Sequence, residues 1–172
     1  MKPGVGSRSL FTSDEKKSII GLGGILFFRM YGLFLVLPVF SALAMELEQA
    51  SPLLVGIAFG AYGVTQGLLQ VPYGMLSDRI GRKPVIMGGL LIFVMGSVLA
   101  AVSDSVYWMI AARFLQGAGA VSSAIFALIA DLTRPEVRTR ANAFLGGSIG
   151  ISFGIAILSA PFLSQAYGLE GL

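Results

Sequence analysis

No cysteine and no histidine occur anywhere in the 172 residues. Without thiols there is no disulfide framework and no thiolate metal site. Without imidazole the commonest metal ligand and the side chain that titrates near neutral pH are both missing. Metal-centred catalysis is not expected, no metal or other cofactor is implied, and no nucleophile paired with a base is visible that would suggest an enzyme. Charge is scarce as well: 12% of the residues are Asp, Glu, Lys or Arg, against 55% hydrophobic. With a mean hydropathy of +0.83, the chain falls outside the range of soluble domains. A membrane protein is expected, with no second, soluble domain left over.

What the sequence does have is long apolar runs. Five of them, Ile19 to Leu43, Leu53 to Leu76, Pro84 to Val102, Val106 to Ala130 and Ala141 to Tyr167, are near or above the ~20 residues that cross a hydrocarbon core as a helix. Backbone groups in lipid must be hydrogen-bonded within their own segment, so runs of this length read as helices rather than strands. The expected fold class is an all-α membrane protein with five transmembrane helices after an N-terminal segment, residues 1–18. That segment has no cleavage-site pattern and the first run is too long for a signal peptide, so the first run is expected to remain as a span.

The basic residues are distributed unevenly. Lys2, Arg8, Lys16 and Lys17 precede the first span; Arg79, Arg82 and Lys83 follow the second; Arg134, Arg138 and Arg140 follow the fourth. The alternate connections, Glu46 to Pro52 and Ser103 to Ser105, contain no Lys or Arg. The positive-inside rule then places the N-terminus and both basic loops in the cytoplasm and the end of the chain on the outer side. This predicts a multi-pass protein of the inner or plasma membrane whose constant partner is the lipid bilayer. The net charge of +3 is a topology signal and implies no nucleic-acid partner.

Within the spans, Gly56, Gly60, Gly63, Gly67 and Gly74 share a narrow arc of the second helix, a face suited to close approach by another helix. Tyr62, Gln66, Gln70 and Tyr73 form an adjacent polar stripe, for interhelical hydrogen bonds or for a water-filled path. In the fourth span Arg113, Gln116 and Gly117 share a face at i, i+3 and i+4. The fifth carries Gly146, Gly147, Gly150 and Gly154, read chiefly as packing positions. Kinks are expected at Pro38 and Pro161. Arg29 and Arg113 lie roughly 10 to 15 Å inside their spans at about 1.5 Å per residue, and no Asp or Glu lies within any span to neutralise them. An intramembrane arginine is a functional-site hypothesis. Its counter-charge is a backbone carbonyl, a tyrosine or glutamine oxygen, an anion in transit, or an acid on another helix.

The connection "YGMLSDRIGRKPV", Tyr73 to Val85, joins the second and third spans. Gly74 and Ser77 are read as ending the second span, Gly81 as permitting the reversal and Pro84 as opening the third. Asp78 exceeds what a turn or the positive-inside rule needs. A second acid, Asp131, ends the fourth span in "ADLTRPEVRTRANAF". With these helices as neighbours, Arg82 falls between Asp78 and Asp131 as a charge-assisted bridge, more useful as a latch between two conformations than as a source of stability.

"GMLSDRIGRKP" resembles the signature loop between helices two and three of the major facilitator superfamily, and "RFLQGAGA" resembles its helix-four motif of proton-coupled members. With "RMYGLFLVLPVF", the likeness is to the drug:proton antiporter branch and within it to YajR-type transporters. The resemblance implies that Gly74, Asp78, Gly81, Arg82 and Lys83, with Asp131, form a conformational gate. Arg113 matches the arginine linked to proton transfer and Arg29 the span-one arginine of the YajR-type stretch. Gln116, Tyr62, Gln66 and Gln70 join these two as the expected proton or substrate path. The chain departs from the antiporter pattern of helix five, having Ala160-Pro161 and then Ser164-Gln165 where a Gly-Pro and a Gly-Gly are wanted.

The resemblance also implies helices one to five of the first of two six-helix halves. The expected partners are a small-molecule substrate, protons, and a missing C-terminal half or second half-transporter. Three functions follow as expectations: proton-coupled efflux of drug-like molecules by alternating access, present as a truncated chain; transport of organic anions or facilitated transport; or a non-transporting fragment that pairs with another half.

Overall fold

The computed structural model describes residues 11–167. Lys2 and Arg8 of the basic N-terminal segment, and residues 168–172 at the end of the chain, lie outside the described residues. Within them the chain forms seven helices and no strand.

Helix α1, Ser13–Val36, starts with a capping box: the Glu15 N–H donates to Thr12 Oγ1 at 3.3 Å and the Thr12 N–H to the Glu15 carboxylate at 2.8 Å. It stops just ahead of Pro38, which has no N–H to donate to the ladder, although Leu37 itself keeps helical angles. The chain resumes as the short α2, Phe40–Ala44. Helix α3, Pro52–Ile80, opens on a Ser51 cap and a first-turn proline. It runs through Pro72 to Ile80, so Gly74 and Ser77 do not end it as expected: Ser77 and Asp78 are helical, and only Gly81 separates α3 from α4, Arg82–Ala101.

The fourth span is also not continuous. It comprises α5, Val106–Ala118, and α6, Ser122–Leu132, with a break at residues 119–121. Helix α7, Pro135–Tyr167, begins a turn and a half earlier than Ala141 and continues through Pro161. Taking α5 and α6 together, five segments are long and apolar enough to cross a bilayer: Ser13–Val36, Pro52–Ile80, Arg82–Ala101, Val106–Leu132 and Pro135–Tyr167.

α1 packs along α7, and α3 and α4 both pack on α5, while α6 is wedged among α1, α3, α4 and α7. Leu26 of α1, Val85 and Ile86 of α4, Ile125 and Ile129 of α6 and Leu145 of α7 meet in the main core. A second core surrounds Phe40, Val55, Val106 and Met109. At that end the Glu48 N–H donates to the Asp104 carbonyl at 3.0 Å and the Val106 N–H to the Glu48 carbonyl at 3.1 Å, tying together the two connections that lack basic residues. Large apolar side chains such as Phe28, Leu68, Leu91, Leu158 and Phe162 point outward. That suits helices whose surroundings are hydrocarbon rather than water.

Apart from Gly74, which faces Ser123, the glycine stripes do not pack as expected. A Cβ added at Gly56, Gly60, Gly63 or Gly67, or at Gly146, Gly147, Gly150 or Gly154, would meet no atom of the described residues within 4 Å. Close approach is made by other glycines. A Cβ on Gly96 would come within 2.6 Å of the Gln116 backbone N, and one on Gly117 within 2.5 Å of the Tyr62 carbonyl oxygen. The sequence periodicity locates small faces correctly but carries no sign of which face another helix of this chain occupies.

Candidate functional site

Two groups of polar side chains are built into the bundle, one across an end and one near mid-depth. The end group starts from Gly81, whose φ of 99° lies in the region that favours glycine and allows α3 to reverse into α4 without a loop. One helical turn apart across that reversal, Asp78 and Arg82 form an ion pair through Arg82 Nη1. The same nitrogen donates to Ser77 Oγ at 2.7 Å, and Arg82 Nε donates to Asp131 Oδ2 at 3.1 Å. Arg82 thus fastens α3, α4 and α6 at one point. Lys83 joins neither carboxylate. Gly74 faces Ser123 of α6: a Cβ placed on it would lie 3.7 Å from the Ser123 hydroxyl.

A second ion pair at this end has no counterpart among the sequence expectations. Glu15, only 5% exposed, accepts from the Arg134 backbone N–H, Nε and Nη2 at 3.0, 2.9 and 3.2 Å. Hydrogen bonding to that carboxylate raises the Arg134 guanidinium further above its usual range. The corner between α6 and α7 is therefore bolted to the first turn of α1. The signal in the sequence is the Thr12-x-x-Glu15 capping box, which holds the same carboxylate that Arg134 binds.

The mid-depth group contains both buried arginines, Arg29 at 4% and Arg113 at 3% exposure. Arg113 Nη1 donates to Gln116 Oε1 at 2.9 Å, and Gln116 Nε2 donates to Ser97 Oγ of α4 at 3.1 Å. The Arg113 guanidinium also lies 4.8 Å from the Phe40 ring centroid and 5.5 Å from that of Tyr62. Arg29 Nη2 donates to the Gly119 carbonyl at 2.8 Å and to Tyr62 Oη at 3.4 Å, and its Nη1 to Ser122 Oγ at 3.4 Å. Phe93 covers it at 5.3 Å. Tyr62 is thus shared, its hydroxyl turned to one cation and its ring to the other.

Of the expected path residues, the structure brings together Arg29, Tyr62, Arg113 and Gln116. Gln66 and Gln70 stand apart, their Oε1 atoms buried with no hydrogen-bond partner among the described residues. Sequence reasoning missed Ser97, Ser122, Phe40, Phe93 and the Gly119 carbonyl. The hydroxyls and rings carry no charge to mark them, and the carbonyl becomes available only because the helix breaks. A cavity of about 340 Å³ is lined by Arg113 and Gln116 together with apolar side chains that include Leu33, Val36, Phe93 and Val98.

Five bilayer-length segments, with arginines sealed inside and ion pairs fastened across one end, define a multi-pass helical membrane protein. The chain belongs to the Major Facilitator Superfamily, whose family model matches residues 22–172. It is 50% identical over 161 residues to the inner membrane transport protein YajR of Escherichia coli (strain K12), covering 94% of this chain and 36% of that protein. It is 35% identical over 111 residues to multidrug resistance protein D of the same organism, 63% of this chain and 26% of that protein. To the class H tetracycline resistance protein of Pasteurella multocida it is 30% identical over 155 residues, 88% of this chain and 38% of that protein. The chain therefore spans well under half the length of these curated relatives.

Proposed function

We propose that the chain forms part of a proton-coupled exporter of drug-like small molecules that works by alternating access, with the Asp78–Arg82–Asp131 cluster as its gate. The observation that carries this reading is the single guanidinium held by acids from α3 and α6. The two carboxylates are more than half exposed. Such pairs contribute only ~0–1 kcal/mol each, so they are cheap to break and suited to a contact that opens in one conformation and closes in another. Gly81 supplies the hinge-like reversal, and Gly74 the close face toward α6. The basic end is cytoplasmic by charge asymmetry, in an inner or plasma membrane. Relatives named for multidrug and tetracycline resistance support the substrate class. In this reading Arg113 with Gln116, and Arg29 with Tyr62, border the proton or substrate path, and a second transporter half supplies the opposing wall.

The test replaces the matching segment of YajR with this chain and introduces Asp78→Asn. Dye efflux and the balance of inward- and outward-open forms are then read in the same membranes. An altered balance with slower efflux is expected; unchanged efflux together with an unchanged balance rejects the gate.

One observation favours a second reading, organic-anion transport. Among the described residues both buried arginines are held by neutral groups alone: a carbonyl, hydroxyls, an amide oxygen and aromatic rings. Their charge remains available to an anion. Uptake or efflux of anionic solutes in preference to cationic dyes by the same chimera selects this reading.

A further inference from the structure

The break in the fourth span is filled from another helix. Where α5 ends, the Val121 N–H turns back to the Gly119 carbonyl at 2.8 Å, two residues away, in place of helical pairing. An interrupted backbone at membrane depth is tolerated only where neighbouring groups satisfy it. Arg29 adds to that from α1: a second, charge-assisted donor at 2.8 Å on the Gly119 carbonyl, and a longer bond to the hydroxyl of Ser122, the first residue of α6.

The far side of the break is closed by α4. A Cβ at Gly119 would come within 2.5 Å of the Gly89 carbonyl and 2.9 Å of the Phe93 Cβ, and a Cβ at Gly89 would collide with Val121. Phe93 then lies over the Arg29 guanidinium. The break is therefore gripped between an arginine and a glycine-lined helix face.

We infer that Arg29 is a positioning residue, a removable pin through a joint between α5 and α6. The joint separates two functional ends of one span: Arg113 and Gln116 lie on α5, while Asp131 lies at the end of α6. With the pin seated, the two pieces hold one angle. Moving α1 away from α6 leaves the Gly119 carbonyl with the Val121 N–H as its remaining donor and lets α6 shift without carrying α5 with it. The inference concerns the pairing of α5 with α6 and stands whether or not the Asp78 cluster acts as a gate.

The experiment uses the chain in detergent micelles, comparing wild type, Arg29→Gln and Arg29→Lys. Amide hydrogen exchange is read by segment, and the distance between spin labels at Trp108→Cys and Leu132→Cys is measured by pulsed EPR. Both label positions are exposed, on α5 and α6 respectively, and the chain has no other cysteine. In Arg29→Gln, exchange over residues 120–126 is expected to rise about ten- to hundredfold, as loss of a charge-assisted bond implies. Exchange in α4 and α7 stays unchanged, and the label distance broadens. Arg29→Lys, which keeps a charged donor but not the fork, restores part of the protection. Unchanged exchange over residues 120–126, an unchanged label distance, or a rise spread equally over all helices each overturns the pin. Should Arg29→Gln lose its helicity, Arg29→Lys and Ser122→Ala carry the same test: both are expected to show the local rise in weaker form, and its absence in both overturns the inference.

Discussion

Arg134 closes on the Glu15 carboxylate with three nitrogens, its own backbone N–H among them. The contact bridges 119 positions of sequence and ties the start of the first span to the corner between the fourth and fifth. Because the same carboxylate also accepts from the Thr12 N–H, its removal undoes a helix cap and a tertiary bond together. Glu15→Ala, which removes the acceptor altogether, is expected to lower the melting temperature of the chain in detergent by several degrees. Arg134→Lys is expected to lower it less, since the ammonium loses the forked geometry but the Thr12 and Arg134 backbone bonds to the carboxylate remain. In a double-mutant cycle with Arg134→Gln, which leaves the Thr12 and Arg134 backbone bonds to the carboxylate in place, the double variant should be little worse than the Glu15 variant alone. Additive losses would show that the two residues act separately.

The Arg82 cluster predicts a different pattern. Asp78→Asn and Asp131→Asn each remove one partner from a guanidinium that keeps the other and keeps Ser77. Each is expected to cost only ~0–1 kcal/mol, and less as salt is raised. Arg82→Ala leaves two carboxylates facing each other across α3 and α6, and the fully buried Ser77 hydroxyl without its donor. It should cost more than the two single neutralisations combined. Denaturant titrations at low and high ionic strength measure the difference.

How much of this is readable from the sequence depends on the kind of signal. The five spans are, because bilayer length and hydropathy are properties of a segment in isolation. The Arg82 bridge is too, since Asp78 and Asp131 stand out where nearly everything is apolar. The break at residues 119–121 is not: Gly117, Gly119 and the Ser122-Ser123 pair weaken the helix, but a continuous apolar run looks the same whether or not a neighbour's side chain fills a gap in it. The glycine stripes mislead for a related reason. Small residues at regular spacing describe what a face permits, and only the assembled bundle tells which faces are used.

That distinction gives a prediction within one residue type. Gly96→Ala forces a methyl against the Gln116 backbone and Gly117→Ala one against the Tyr62 carbonyl. Each is expected to destabilise the chain by about 1–3 kcal/mol through overpacking. Gly60→Ala and Gly147→Ala meet open space and replace a poor helix former with the best, so the chain should be unchanged or stabilised by up to ~1 kcal/mol. Unfolding monitored by helicity in mixed micelles ranks the four. Equal losses at Gly60 and Gly96 would mean that the helices are not packed as described.

The sharing of Tyr62 between two cations makes its ring and its hydroxyl separable. Tyr62→Phe removes only the 3.4 Å bond from Arg29, a long contact, while Arg29 keeps the Gly119 carbonyl; the expected loss is under ~1 kcal/mol. Tyr62→Leu also removes the aromatic face beneath Arg113 and should cost about 2 kcal/mol more, the value of a cation–π contact in a desolvated site plus lost packing. Gln116→Leu acts on the same arginine from the other side. It takes the oxygen from Nη1 and leaves a buried guanidinium, whose Nε already lacks a partner among the described residues, facing aromatic rings, so about 1–3 kcal/mol is expected. Thermal unfolding of the single and double variants in one detergent measures these losses. If Tyr62→Leu and Gln116→Leu prove additive, ring and amide support Arg113 independently. A combined loss smaller than the sum means that removing either one already lets the arginine leave its site.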